Sequence, residues 1–178
     1  MTYLAAMAIL PILIHPDPRL RKAAEPVVAV DDALRKLADD MLATMYDAPG
    51  IGLAAVQVGV MKQVFVMDCA GKEEPPAPEV MINPEILELS DEEAASEEGC
   101  LSIPEVYGDV TRPVRVRLRW MDLDGSMQER EFGERAATCV QHEMDHLKGR
   151  LFIDYLSAVR RSMITAKMKK LKKEMARA

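Results

Sequence analysis

Histidine and cysteine are both scarce in this chain of 178 residues, with three of each. Three cysteines, Cys69, Cys100 and Cys139, make a poor disulfide framework, and the odd count suits a reducing cytoplasm. There is no excess of positive charge. A formal net charge of −6 argues against a surface built as a whole to bind nucleic acid, so no DNA partner is expected. A long hydrophobic run is also missing. The apolar start, YLAAMAILPILI, runs for about a dozen residues and is interrupted by Pro11, whereas a bilayer-spanning helix needs roughly 20. It has neither a basic n-region nor a small-residue cleavage site, so it reads as a buried segment with no membrane role. Repeats and long low-complexity stretches are lacking. At this length one domain covering residues 1–178 is the natural reading.

What is present divides into strands and helices. Asp31 and Asp32 open a helix in which Leu34, Leu37, Met41, Leu42 and Met45 recur at helical spacing, and Pro49-Gly50 ends it. QVFVMD (63–68) reads as a strand, and VMINPEILEL (80–89) as extended chain broken at Pro84. From 114 to 120, VRVRLRW alternates apolar residues with arginine, the clearest strand signal in the chain. Asp124-Gly125 reads as a hairpin turn before MQEREF, and a helix from about Glu134 to Lys148 stops at Gly149. Ser157 caps a last helix, with Val159, Met163, Met168, Leu171 and Met175 as its expected buried stripe. Without a βαβ alternation the expected class is α+β: mixed, mostly antiparallel sheets packed around a central helix, with a C-terminal helix.

The central helix carries QHEMDH (141–146). Residues four apart share one helix face about 6 Å apart along the axis, so His142 and His146 can reach one metal ion. Glu143 then sits beside the open coordination position as a base. A chance HExxH on a solvated helix is the bland alternative. The apolar neighbours Val140, Met144 and Leu147 oppose it, because two buried histidines without a partner are costly. A catalytic ion of this kind takes three protein ligands. Downstream acids are limited to Asp154 and Glu174, and there is no downstream histidine, which disfavours an HExxH metalloprotease. Cysteine is the better candidate. Cys139 would lie about a turn or more from an ion between the two histidines. Cys69 ends the apolar strand FVMDC and reads as core. Cys100 sits in EEGCLSIP, where Gly99 allows close backbone approach and Pro104 ends the segment.

GIGLAAVQVG (50–59), EEGCLS (97–102) and QHEMDHLKG (141–149), in that order, resemble the three marker stretches of the peptide deformylase family. The opening ILPILIHPDPRLRK resembles that family's N-terminus, so the likeness covers nearly the whole chain. Gly50, Gly52 and Ala55, with Asp68 beyond, also fit a loose dinucleotide-binding pattern, but that pattern needs a strand before the glycines and a helix after them. The resemblance implies a Cys100, His142 and His146 ligand set for one divalent ion, iron(II) natively, with zinc or nickel as substitutes. It implies removal of the formyl group from the N-formyl-methionine end of new polypeptides, with release of formate, in the cytoplasm. Glu143 moves the proton, the Gln57 amide and the Leu101 backbone N–H face the oxyanion, and Ile51, Gly52 and Gly99 pair with the peptide main chain. A non-catalytic metal-stabilised peptide-binding or ribosome-associated protein is the rival reading; it would need neither Glu143 nor Gln57. One departure from the family pattern is Arg135, seven residues before His142, where an aliphatic residue near the methionine pocket is usual. The favoured reading is that its stem covers apolar surface while the guanidinium reaches solvent; the sharper one is an altered side-chain preference.

The ends carry two further expectations. Residues 1–6, MTYLAA, read as a possible N-terminal extension. From Arg160 to Ala178, eight Lys or Arg face one Glu, so this end carries +7 and the other 159 residues −13. A solvated helix whose basic residues suit its own C-terminal dipole explains such a tail. The resemblance implies more for the basic helix within 157–178, namely docking on the ribosome near the exit tunnel.

Overall fold

The computed structural model describes residues 7–177, so the expected extension at 1–6 lies outside the described residues. Its elements run α1 (Asp32–Asp47), β1 (Gly52–Ala54), β2 (Val64–Met67), β3 (Glu79–Leu89), β4 (Glu93–Cys100), β5 (Ile103–Pro113), β6 (Arg115–Met121), β7 (Met127–Gly133), α2 (Glu134–Leu147) and α3 (Ala158–Met175). Short 3₁₀ turns cover Pro18–Arg21, Ala55–Val58 and Phe152–Tyr155. Five strands form one sheet in the order β1-β2-β3-β6-β7, and β4 pairs with β5 in a separate two-stranded sheet. Every strand pair is antiparallel, which fits the α+β expectation.

Strand β2 shows why the large sheet is covered on both sides. All four of its residues are buried, and side chains alternate between faces. Val64 and Val66 join Leu34, Met41 and Met45 of α1 on one face. Phe65 and Met67 join Val140, Met144 and Leu147 of α2 on the other. Strand β6 lies in the same sheet beyond β3 and keeps the alternation read from its sequence. Val116, Leu118 and Trp120 face α2, while Arg117 and Arg119 lie outside and pair with Glu129 and Glu85. Asp31 caps α1 by accepting the Leu34 N–H, and Ser157 caps α3 by accepting the Arg160 N–H. Helix α2 ends at Gly149 with φ +73, where an added Cβ would lie 2.5 Å from the Arg21 carbonyl oxygen; only glycine fits this crossing.

Four expectations change. Pro84 does not break the chain: β3 continues through it, with a register shift between Ile82 and Glu85 and Asn83 at φ 48, so the proline sits in a bulge. Pro104 does not end a segment but lies inside β5, whose pairing with β4 builds a hairpin. The apolar start is not buried throughout. Met7, Ala8, Ile9 and Pro11 are exposed, and the segment is held along α1 by the Ala8 N–H donating to Asp40 Oδ1 and the Leu10 N–H donating to Thr44 Oγ1. On α3, Val159, Met163 and Met175 are exposed; Ile164 and Met168 are the buried pair, with Leu171 half-buried beside them. Residues 164 and 168 lie one turn apart and face β5 through Ile103, Val106 and Val110.

Candidate active site

Packing of α2 against the large sheet through Ala137, Val140, Met144 and Leu147 turns His142 and His146 toward the end of β4. Cys100 meets them there. His146 Nε2 lies 3.3 Å from Cys100 Sγ and 3.2 Å from His142 Nε2, and one ligand atom from each residue falls within 4.8 Å of the others. His142 Nδ1 is 2.9 Å from Glu98 Oε2. An N–H donated to that carboxylate turns the Nε2 lone pair inward, as a metal ligand requires. One thiol and two imidazoles converging in this way suit a divalent transition metal, so the residues present fit such an ion.

Cys139 and Cys69 stay outside the cluster. Cys139 Sγ donates to the Ile51 carbonyl at 3.6 Å, and Cys69 packs half-buried against the core. Asp154 is not a ligand either: it pairs with Arg21 and accepts the Leu151 N–H.

Behind the cluster stands a buried charge network that the sequence reading did not single out. Arg112 donates to both oxygens of Glu98, at 2.5 and 3.1 Å, and to Asp145 Oδ2 at 2.9 Å. Tyr155 donates to the same Asp145 oxygen at 2.7 Å, with the guanidinium 4.8 Å from its ring centroid. Burial pushes the Glu98 carboxyl up, but its bonds to His142 and Arg112 outweigh this and hold it below the usual range. These residues lie 14 and 33 positions apart in the chain, so local spacing carries no sign of their meeting. Only EEGCLS, with its second acid directly before the Gly99-Cys100 pair, and the Asp of QHEMDH hint at them.

Glu143 is 3 % exposed, and burial pushes its carboxyl up to about 7. Among the described residues two buried side-chain polar atoms have no hydrogen-bond partner, Glu143 Oε2 and His146 Nδ1. Gly52 makes room for that carboxylate, since an added Cβ would collide with it and with Cys139 Sγ. The Gln57 amide is fixed from two sides: its Oε1 accepts the Ala54 N–H at 2.9 Å, and its Nε2 donates to Ser102 Oγ at 3.1 Å and faces Cys100 Sγ at 3.6 Å.

Much of this site lines one cleft of about 910 Å³ between the two sheets. Ile51 and Gly52 line one wall, Gly99 and Leu101 the other, with His142 and Glu143 between them. Of the candidate ligand, catalytic and peptide-pairing residues, all border this cleft except His146, which is 1 % exposed beneath it. Arg135 stands exposed at its rim.

Residues 9–162 match the family model described as polypeptide deformylase. A peptide deformylase of Mesorhizobium japonicum is 56% identical over 170 residues, covering 96% of this chain and 97% of that protein. One from Nitrosococcus oceani is 56% identical over 164 residues, covering 92% and 96%. Among solved structures, the Ehrlichia chaffeensis peptide deformylase superposes with a TM-score of 0.91 at 38% identity, covering 95% of this chain and 99% of that one. An Acinetobacter baumannii peptide deformylase with Met-Ala-Ser bound superposes with a TM-score of 0.80 at 38% identity, covering 85% and 100%. Geometry, family match and relatives point the same way: the chain belongs to the polypeptide deformylase family.

Proposed function

We propose that the protein removes the formyl group from the N-terminal formyl-methionine of newly made polypeptides in the cytoplasm, releasing formate. The observation that carries this reading is the convergence of Cys100, His142 and His146 beside the buried carboxylate of Glu143. These three residues would hold one divalent ion, iron(II) in the cell with zinc or nickel as substitutes. A bound ion there supplies Lewis acidity toward a carbonyl oxygen and lowers the pKa of water.

The remaining work belongs to side chains and backbone. Glu143 takes a proton from the attacking water and delivers it to the departing nitrogen; burial raises its carboxyl above the usual carboxylate range, the direction that favours a proton carrier. The Gln57 amide and the Leu101 N–H stabilise the oxyanion as it forms. β1 is an edge strand of the large sheet and β4 belongs to the small one, so the cleft has strand backbone on both sides. An extended peptide can pair with Ile51-Gly52 and with Gly99, a recognition mode that tolerates varied sequence beyond the first residue. The Met-Ala-Ser ligand of the Acinetobacter relative has the size and chemistry for such a slot. Arg135 keeps its charge in solvent at the rim, and its stem leaves the methionine pocket apolar.

The basic helix α3 docks on the ribosome near the exit tunnel, with exposed lysines toward RNA phosphate. This is supported by the charge asymmetry and by the anchoring of its other face in the core. Among the described residues no helix is long and apolar enough to cross a membrane.

The test is formate release from a short formyl-Met peptide, compared with acetate release from its acetylated twin and with digestion of casein. Formate alone is expected. Equal hydrolysis of the acetylated peptide, or cleavage of casein, contradicts the reading.

A further inference from the structure

We infer that Ser102 is a positioning residue for the deformylase reaction, holding the Gln57 amide where it meets the oxyanion; the inference rests on the function proposed above. Ser102 is fully buried in the tight turn joining β4 to β5, beside the register shift between Gly99 and Cys100. Its backbone carbonyl accepts the His15 N–H at 2.9 Å, and the backbone carbonyl of Gln57 accepts the Leu13 N–H at 2.7 Å. One N-terminal segment therefore fixes both backbones.

What the backbones leave free is the tilt of the Gln57 carboxamide, whose last torsion has a broad minimum. The Ala54 N–H on Oε1 decides which end is oxygen and directs the NH₂ toward Cys100 and Ser102. Of those two partners the sulfur is a weak acceptor at 3.6 Å and the hydroxyl a strong one at 3.1 Å. Ser102 Oγ therefore anchors one amide hydrogen and leaves the other directed at the metal ligands, where a reacting carbonyl would sit. Without the hydroxyl the nitrogen has only the sulfur to hold it, and the second hydrogen loses its aim. A hydroxyl that merely satisfied a buried amide would affect stability and leave turnover alone.

A double-mutant cycle separates the two roles. kcat and KM for a short formyl-Met peptide are measured on the metal-loaded full chain, for the native protein, Ser102→Ala, Gln57→Ala and the double variant. Ser102→Ala should lower kcat about tenfold, a fraction of the roughly 100-fold expected when an oxyanion donor is removed outright. Metal content should stay constant and KM should move by less than about twofold, because the lost contact acts in the transition state. In the Gln57→Ala background the same change should cost nothing further. An unchanged kcat, or the same tenfold loss without Gln57, overturns the inference. If Ser102→Ala does not fold, Ser102→Cys decides: its thiol is a weak acceptor of nearly the same shape, so kcat should fall with metal content unchanged. An unchanged kcat in Ser102→Cys rules out the clamp. Absence of formate release by the native protein overturns the reaction itself, an outcome distinct from an active native protein whose kcat ignores Ser102.

Discussion

Glu143 combines near-complete burial, an oxygen without a hydrogen-bond partner, and a carboxyl pushed up to about 7. Such a group costs stability, and its position beside three convergent ligand atoms gives the cost a purpose. Glu143→Ala removes the base and spares the ligands. Metal content should therefore be unchanged while turnover falls roughly 100- to 10,000-fold, as checked by metal analysis and formate assay on one preparation. Arg112 makes the opposite case. Arg112→Met would leave Glu98 and Asp145 as buried carboxylates without their partner, which costs about 3–5 kcal/mol. Thermal denaturation should show a large drop in melting temperature, and chelator competition should show weaker metal binding, because Glu98 orients His142. His142, Glu143 and His146 were legible because four-residue spacing on a helix is a local property. Cys100 was singled out as candidate third ligand only through the resemblance, and the Arg112 network was not legible, because its contacts span the chain.

At the scale of elements, β6 could be read directly from alternation, β2 from its short apolar run, and α1 and α2 from apolar spacing and caps. The β4–β5 hairpin could not. EAASEEGC has little strand propensity, and its pairing is sustained by β5 and by α3 packed behind it. The stripe expected on α3 spread over two faces, and the helix buries only the narrower one containing Ile164 and Met168.

His15 ties three of these parts together: its backbone N–H reaches Ser102, and its ring meets Thr165 of α3 at 2.8 Å. Burial and then the nearby Arg21 lower its pKa below 6.5, with Asp154 opposing. The folded state thus disfavours the proton that the unfolded chain takes up. His15's contribution is fully present above pH 6.5 and is lost as pH falls below it. The melting temperature of the native protein should fall more between pH 7.5 and 5.5 than that of His15→Asn; parallel slopes would show that His15 is not the group titrating.

Because α3 places Ile164 and Met168 in the core, the proposed docking on the ribosome is better tested by charge than by truncation. Lys169, Lys170 and Lys173 are exposed. Reversing all three to Glu should abolish co-sedimentation with ribosomes at low salt and leave turnover of a short peptide intact. Unchanged binding would leave α3 as a solvated helix.

For the whole molecule, the site is a product of how the two sheets meet. The large sheet brings β1 and, through α2, both histidines and Glu143; the hairpin brings Cys100, Glu98 and Arg112. No single element contains a working centre, so the cleft between them exists only in the assembled fold. The central claim is that one ion held by Cys100, His142 and His146 makes this cleft catalytic. The most direct measurement strips the protein with a chelator under anaerobic conditions and follows formate release from a formyl-Met peptide during titration with iron(II). Activity should be absent at the start, rise linearly and stop at one ion per chain, and Cys100→Ala should gain none. Formate release by the stripped protein, or full activity and one bound ion in Cys100→Ala, would contradict the account.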